Sequence, residues 1–168
     1  MKHTSLFAAT LLSATMLVSG AARAADYLTG TLGWYDVTQQ DNEAVAVGAE
    51  YRFSPVEYGI RPMVGFFATT DSSLYGYAGL HWDIELIANQ LYLSPNFAAG
   101  AYTAGDDGKR LGGTIEFRSG IELAYQMPNQ HRVGVAFNHL SNASIYNRNP
   151  GVEMLLLTYS IPTGKILP

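Results

Sequence analysis

The chain has 168 residues, no cysteine, 17 glycines, 11 tyrosines and only 14% charged residues, with a formal net charge of −4. An acidic balance offers no footprint for a phosphate backbone, so nucleic acid is excluded as a partner. Without cysteine a small exported domain cannot be stapled by disulfides, and packing or closed hydrogen bonding has to hold it.

Export is expected from the N-terminus. Met1-Lys2-His3 is a short basic start, Leu6 to Val18 is an apolar run broken by Thr and Ser, and Ala22-Arg23-Ala24 places small residues where a signal peptidase reads. The expectation is a signal peptide over 1–24 and one domain over 25–168, which is two charge units more negative once Lys2 and Arg23 are removed. That domain has no apolar stretch long enough for a spanning helix. Export, few charges and abundant Tyr and Gly together fit a membrane β-barrel.

The period is two nearly everywhere, which is the strand signature. The first candidate strand is 27–35, carrying Trp34 as a candidate interface aromatic. The second, 43–53, alternates most clearly. Val45, Val47, Ala49, Tyr51 and Phe53 share one face, and Ala44, Ala46, Gly48, Glu50 and Arg52 share the other. A polar, small-residue face opposite an apolar one fits a filled lumen and a lipid-facing wall. The third, 57–68, contains Arg61 and Pro62; a proline inside a strand removes a ladder donor and marks a demoted strand or a bulge. The fourth, 73–85, includes Trp82 and sets His81, Asp83 and Glu85 on one face, which reads as a wet interior or rim cluster rather than a metal site. The fifth, 91–102, contains Pro95 and leads to Asp106-Asp107-Gly108-Lys109, a turn without the calcium-loop pattern. The sixth, 111–125, sets Ile115, Phe117, Ile121, Leu123 and Tyr125 against Glu116, Arg118, Gly120 and Glu122. With Glu50, Arg52 and Arg61 these charges form an expected interior ion-pair network. The last two, 131–141 and 152–161, complete an even count of eight, and Pro162 follows them. Short connections at 54–56, 87–90 and 127–130 alternate with more polar ones at 36–42, 71–72, 104–110 and 142–151. Short turns belong to the periplasmic side and the others face outward.

The segment 137–153 carries the chemistry. His139 and Ser141 share the parity of Val133, Val135 and Phe137, about 7 Å apart along the strand and on the lipid side. Glu153 shares the parity of Leu155, Leu157, Tyr159 and Ile161, also lipid-facing. A hairpin centred on Tyr146 sets His139 opposite Glu153, provided that no bulge or register slip intervenes. Ionisable groups facing hydrocarbon are functional candidates by default. Serine needs a base to take its proton, and the base needs a third group to fix its tautomer. Ser141 is therefore the expected nucleophile, His139 the general base and Glu153 its orienter. A backbone N–H near Ala143, or the amides of Asn142 or Asn149, are the candidate oxyanion donors. With both termini periplasmic, these groups meet the outer leaflet, whose lipid is lipopolysaccharide.

The motif His139-x-Ser141-Asn142-Ala143, followed by Asn149, Gly151 and Glu153 and a strand ending Leu157-x-Tyr159-Ser160, resembles the lipid A 3-O-deacylase (PagL) family. The motif occupies roughly the last quarter of the chain, and the remainder matches in architecture. The resemblance implies an all-β, eight-stranded antiparallel transmembrane β-barrel in the bacterial outer membrane. It also implies a Ser-His-Glu triad on the outer surface, and hydrolysis of the 3-hydroxyacyl ester at position 3 of lipid A with no metal or other cofactor. Ser141 then matches the nucleophile, His139 the base, Glu153 the orienter, and Asn149 an asparagine at the oxyanion hole. The implied partners are lipid A and the surrounding outer-membrane lipid, with a homodimer left open. One departure concerns the end of the chain, which runs past Ile161 to Pro162 and Pro168 instead of closing on an aromatic or apolar residue. Two rivals remain at this stage: a non-enzymatic structural or adhesive barrel, and a soluble barrel holding an apolar ligand inside.

Overall fold

The computed structural model describes residues 25–163; the expected signal peptide over 1–24 and the residues after Thr163 lie outside the described residues. The strand segments are β1 (Asp26–Tyr35), β2 (Ala44–Arg52), β3 (Ile60–Thr69), β4 (Leu74–Trp82), β5 (Ile84–Ile87), β6 (Leu91–Thr103), β7 (Ile115–Gln126), β8 (Arg132–Ser141) and β9 (Val152–Thr163). β4 and β5 pair with β6 in one register, His81 with Asn96 and then Ile84 with Leu93, so they are a single strand interrupted at Asp83. Consecutive strands pair antiparallel and β1 closes on β9, from Asp26 opposite Thr163 to Tyr35 opposite Met154. The result is an eight-stranded closed barrel with no free edge, the arrangement in which every ladder amide has a neighbour.

The two-residue period sorts side chains as their order along the chain requires. Glu50, Arg52, Glu116, Arg118 and Glu122 are buried in the lumen, while Val45, Val47, Ile121 and Leu123 face outward. This is a soluble domain turned inside out. It removes the reading of a barrel that holds an apolar ligand. Trp34 and Trp82 lie on the outer wall near opposite ends.

Two charged layers fill the lumen. In the first, Arg52 donates to Glu50 at 2.5 Å and Glu122 at 2.6 Å, Arg118 donates to Glu50 at 2.8 Å, and Tyr77 and Thr158 add hydroxyl donors. In the second, Asp83 accepts from Arg61 at 2.7 Å and Arg132 at 2.8 Å, and the Arg132 guanidinium lies 3.9 Å from the centre of the Tyr92 ring. Buried charges of one sign are thus met by the other, as low-dielectric burial demands. Glu116 departs from the expected network: it is buried, yet forms no ion pair among the described residues. Its neighbours across the barrel are tyrosines, with Tyr75 donating to its backbone carbonyl at 2.9 Å.

The break between β4 and β5 falls opposite Ser94 and Pro95, where a proline removes a ladder donor, and a register shift falls between Glu85 and Ile87 at the end of β5. Pro62, Pro95 and Pro162 nevertheless keep continuous registers opposite Leu80, Ile121 and Tyr27. Pro62 shows how this is possible. Its carbonyl accepts Phe53 N–H at 2.9 Å, and the reciprocal carbonyl of Phe53, which a proline cannot serve, accepts Arg61 Nη1 at 3.1 Å. A lumen guanidinium replaces the missing donor. Two strand starts fall later than expected. Tyr58 and Gly59, with φ of 56° and 78°, hold back β3, and Gly112, at φ 102°, holds back β7.

Removing Arg52 leaves Glu50 and Glu122 facing each other in the lumen. Arg52→Leu is expected to destabilise the barrel by about 3–5 kcal/mol, read as a lower urea midpoint for unfolding from lipid vesicles.

Candidate active site

The last hairpin builds the site. β8 ends at Ser141 and β9 begins at Val152, and their register sets His139 across from Glu153, as a hairpin centred on Tyr146 requires. Both side chains point outward with Phe137 and Leu155, just at the end of the wall where the longer loops emerge. His139 Nδ1 and Glu153 Oε1 are 2.8 Å apart, with the imidazole 42% exposed and the carboxylate 18% exposed. A carboxylate accepts only, so Nδ1 carries the proton, and Nε2 is left as the basic nitrogen. The other Glu153 oxygen is buried without a partner among the described residues.

Ser141 occupies the next outward position on β8, paired with Phe117 of β7. Among the described residues nothing hydrogen-bonds its hydroxyl, a looseness common in catalytic pairs before substrate arrives. The imidazole is instead packed by Gly151. A Cβ there would lie 2.9 Å from His139 Cε1 and 3.6 Å from Nε2, and the φ of 65° is one that glycine adopts freely. Gly151 appears in the sequence motif, but its contact with the imidazole is set by the loop path. Ser119 also escaped the sequence reading. It is exposed on β7 directly beside His139, on the side away from Glu153, so the imidazole is flanked by two hydroxyls.

The loop after Ser141 is organised by Asn142, which is fully buried. Its backbone N–H donates to Asn149 Oδ1 at 3.0 Å, its side-chain amide donates to the carbonyls of Leu111 and Arg148 at 2.8 Å each, and its Oδ1 accepts Ser144 N–H at 3.0 Å. Both amide hydrogens are therefore engaged. Ala143 and Ser144 follow with φ of 51° and 62°, turning the chain so that the Ala143 N–H has no partner among the described residues. Asn149 keeps its Nδ2 near the surface, 3.5 Å from Ser144 Oγ. Of the three candidate oxyanion donors, Ala143 and Asn149 retain free donor capacity, whereas Asn142 holds the loop together.

An apolar groove of about 830 Å³ crosses the outer wall, lined among others by Val135, Leu155, Leu157, Leu32, Trp34 and Val45 and by none of Ser141, His139 and Glu153. It lies over β8, β9, β1 and β2, and Leu155 and Val135 join it to the outward row of Glu153 and His139.

A model of the lipid A 3-O-deacylase (PagL) family matches residues 27–162, nearly all of the described chain. The chain belongs to that family. Lipid A deacylase PagL of Bordetella bronchiseptica is 36% identical over 52 residues, a match that covers 31% of this chain and 29% of the relative. The aligned part thus spans less than a third of that relative's length. Among solved structures, the outer membrane enzyme PagL superposes with a TM-score of 0.65 at 16% identity, over 82% of this chain and 99% of that one. Neisserial surface protein A superposes with a TM-score of 0.54 at 11% identity, over 86% and 100%. A de novo designed transmembrane β-barrel gives 0.53 at 16% identity, over 84% and 98%. At these identities the superpositions speak to the fold alone.

Gly151→Ala tests the packing of the imidazole. The added methyl meets the ring and adopts a disfavoured φ at a cost of about 1 kcal/mol. The expected result is displaced His139 ring resonances in micelle NMR spectra, with strand resonances unchanged.

Proposed function

We propose that the chain is a serine esterase of the outer membrane. It removes the 3-hydroxyacyl chain esterified at position 3 of lipid A, working from the lipid side of its own wall. The observation that carries this reading is the outward 2.8 Å His139–Glu153 pair beside a serine hydroxyl, on a wall that carries an apolar groove. An imidazole and a carboxylate facing lipid are costly unless they do chemistry.

The proposed steps use this geometry. Ser141 Oγ attacks the ester carbonyl while His139 Nε2 takes the hydroxyl proton, and Glu153 holds the resulting imidazolium. The Ala143 N–H and Asn149 Nδ2 stabilise the oxyanion. The intermediate collapses by breaking the bond to the sugar oxygen, which receives the proton from His139. A water molecule, deprotonated by the same nitrogen, then releases the 3-hydroxy fatty acid from Ser141. The groove supports a lipid substrate, because it holds a hydrocarbon chain against the wall while its ester lies at the rim. Both ends of the described chain sit at the short-turn end, which supports a site by the outer leaflet and its lipopolysaccharide. None of these steps calls on a metal.

The competing reading is a structural or adhesive barrel, since the same architecture is shared with a surface protein and with a designed barrel. What weighs against it is the paired outward imidazole, which wall stability does not need. Ser141→Ala is expected to leave a folded barrel while lowering release of the 3-hydroxyacyl chain, read by mass spectrometry of lipid A, by about 10³-fold or more. Asn149→Ala should cost about 10²-fold, whereas Ser119→Ala should leave activity near that of the parent. Loss of activity in Ser119→Ala with Ser141→Ala intact would move the nucleophile to β7.

A further inference from the structure

We infer that Lys109 is a positioning residue for the His139–Glu153 pair, acting through the loop between β1 and β2; the inference rests on the catalytic reading above. Lys109 belongs to the loop between β6 and β7, where its sequence suggested only a turn. Its ammonium is buried and donates to Asp36 Oδ1 at 2.6 Å and to Gln39 Oε1 at 2.6 Å. The same Asp36 closes its own loop by accepting the Asp41 and Asn42 amides on Oδ2 at 3.0 and 2.8 Å. Lys109 is in turn anchored from below, where Tyr102 donates to its carbonyl at 2.7 Å and the Tyr35 hydroxyl lies 2.9 Å from that of Tyr102. One ammonium therefore pins the β1–β2 loop to the neighbouring loop.

The pinned loop passes that order to the catalytic hairpin at two points. Val37 N–H donates to the Glu153 carbonyl at 3.1 Å, and Gln39 Nε2 donates to the Pro150 carbonyl at 3.2 Å. These two bonds bracket Gly151, whose α-carbon packs against the imidazole. Gln39 acts as a connector: Lys109 holds the oxygen of its amide, which orients the nitrogen toward Pro150. None of Lys109, Asp36 and Gln39 touches the reacting atoms. Its effect is to keep Gly151 against one side of His139 and Glu153 against the other, so the imidazole has a single orientation when Ser141 needs a base.

The bland alternative is that Lys109 only neutralises the buried Asp36 and acts on folding alone. Gln39→Glu separates the two ideas. A carboxylate at 39 keeps the partner of the ammonium and loses the donor to Pro150. The test uses the full-length protein in mixed micelles with purified lipid A, following fatty-acid release and checking folding by heat-modifiable gel mobility. Gln39→Ala and Gln39→Glu are both expected to lower kcat about fivefold with KM changed less than about twofold, the scale of one lost hydrogen bond. Lys109→Met should lower kcat about tenfold or more, and Lys109→Arg should recover part of that loss. The double variant Lys109→Met with Gln39→Ala should be no slower than Lys109→Met alone, because both act through one path. Parent-like kcat in both Gln39 variants, or additive losses in the double variant, would overturn the inference. If Lys109→Met does not fold, the two Gln39 variants decide alone. Ser141→Ala, run beside them, keeps the two readings apart: activity retained there removes the catalytic reading, whereas an inactive Ser141→Ala with parent-like Gln39 variants removes only this inference.

Discussion

Hydrocarbon offers a backbone amide no hydrogen-bond partner, so a wall that stands in lipid must satisfy every ladder group from its own neighbours. The closure of β1 on β9, and of β4 with β5 on β6, answers that demand. The most telling detail is Pro62. A strand residue without an N–H leaves a carbonyl stranded on the adjoining strand, and the Arg61 guanidinium reaches it from within. The same arginine also pairs with Asp83, where the fourth strand is interrupted. The lumen charges thus serve the wall as well as one another.

Once closure is set, the two-residue period decides the fate of each side chain. Eight strands enclose a lumen narrow enough to be filled by Glu50, Arg52, Arg118, Glu122 and the Asp83 layer, and the outer wall is left to aliphatic and aromatic groups. Against such a wall an outward imidazole and carboxylate stand apart. They are tolerated because they pair with each other at the rim, and because the carboxylate is largely shielded while the imidazole keeps its second nitrogen open. Pairing also gives them a chemical direction, since the acceptor on Nδ1 fixes which nitrogen is basic.

The barrel by itself is silent about activity. The same architecture carries an outer membrane enzyme, a neisserial surface protein and a designed barrel, so the reading here rests on the family match and on the hairpin between β8 and β9. That hairpin does not stand alone. Asn142 binds it to the loop between β6 and β7 through the Leu111 carbonyl, and Val37 and Gln39 bind it to the loop between β1 and β2. Three loops from distant parts of the chain meet over one pair of side chains.

Much of this was legible in the order of residues. The alternation of Val45 and Val47 with Glu50 and Arg52, and of Ile121 and Leu123 with Arg118 and Glu122, told inside from outside because pleat parity is a local property. The facing of His139 and Glu153 was legible as parity, which puts both on the outer wall, but the long loop 142–151 does not fix its own register, so the pairing itself rests on the fold. Long-range neighbours were not legible. The order of residues suggested that Pro62, Pro95 and Pro162 disturb the ladder; the fourth strand does break opposite Pro95, whereas at Pro62 a guanidinium supplies the missing donor. It placed Glu116 in a charge network from which the barrel's geometry separates it. It also offered Asn142 as an oxyanion donor, although the folded loop engages both hydrogens of its amide. Periodicity acts within a few residues and can be read along the chain. Which loops meet above the barrel, and which donors remain free there, depends on strand closure and on backbone turns at Ala143, Ser144 and Gly151, and only the folded chain decides them.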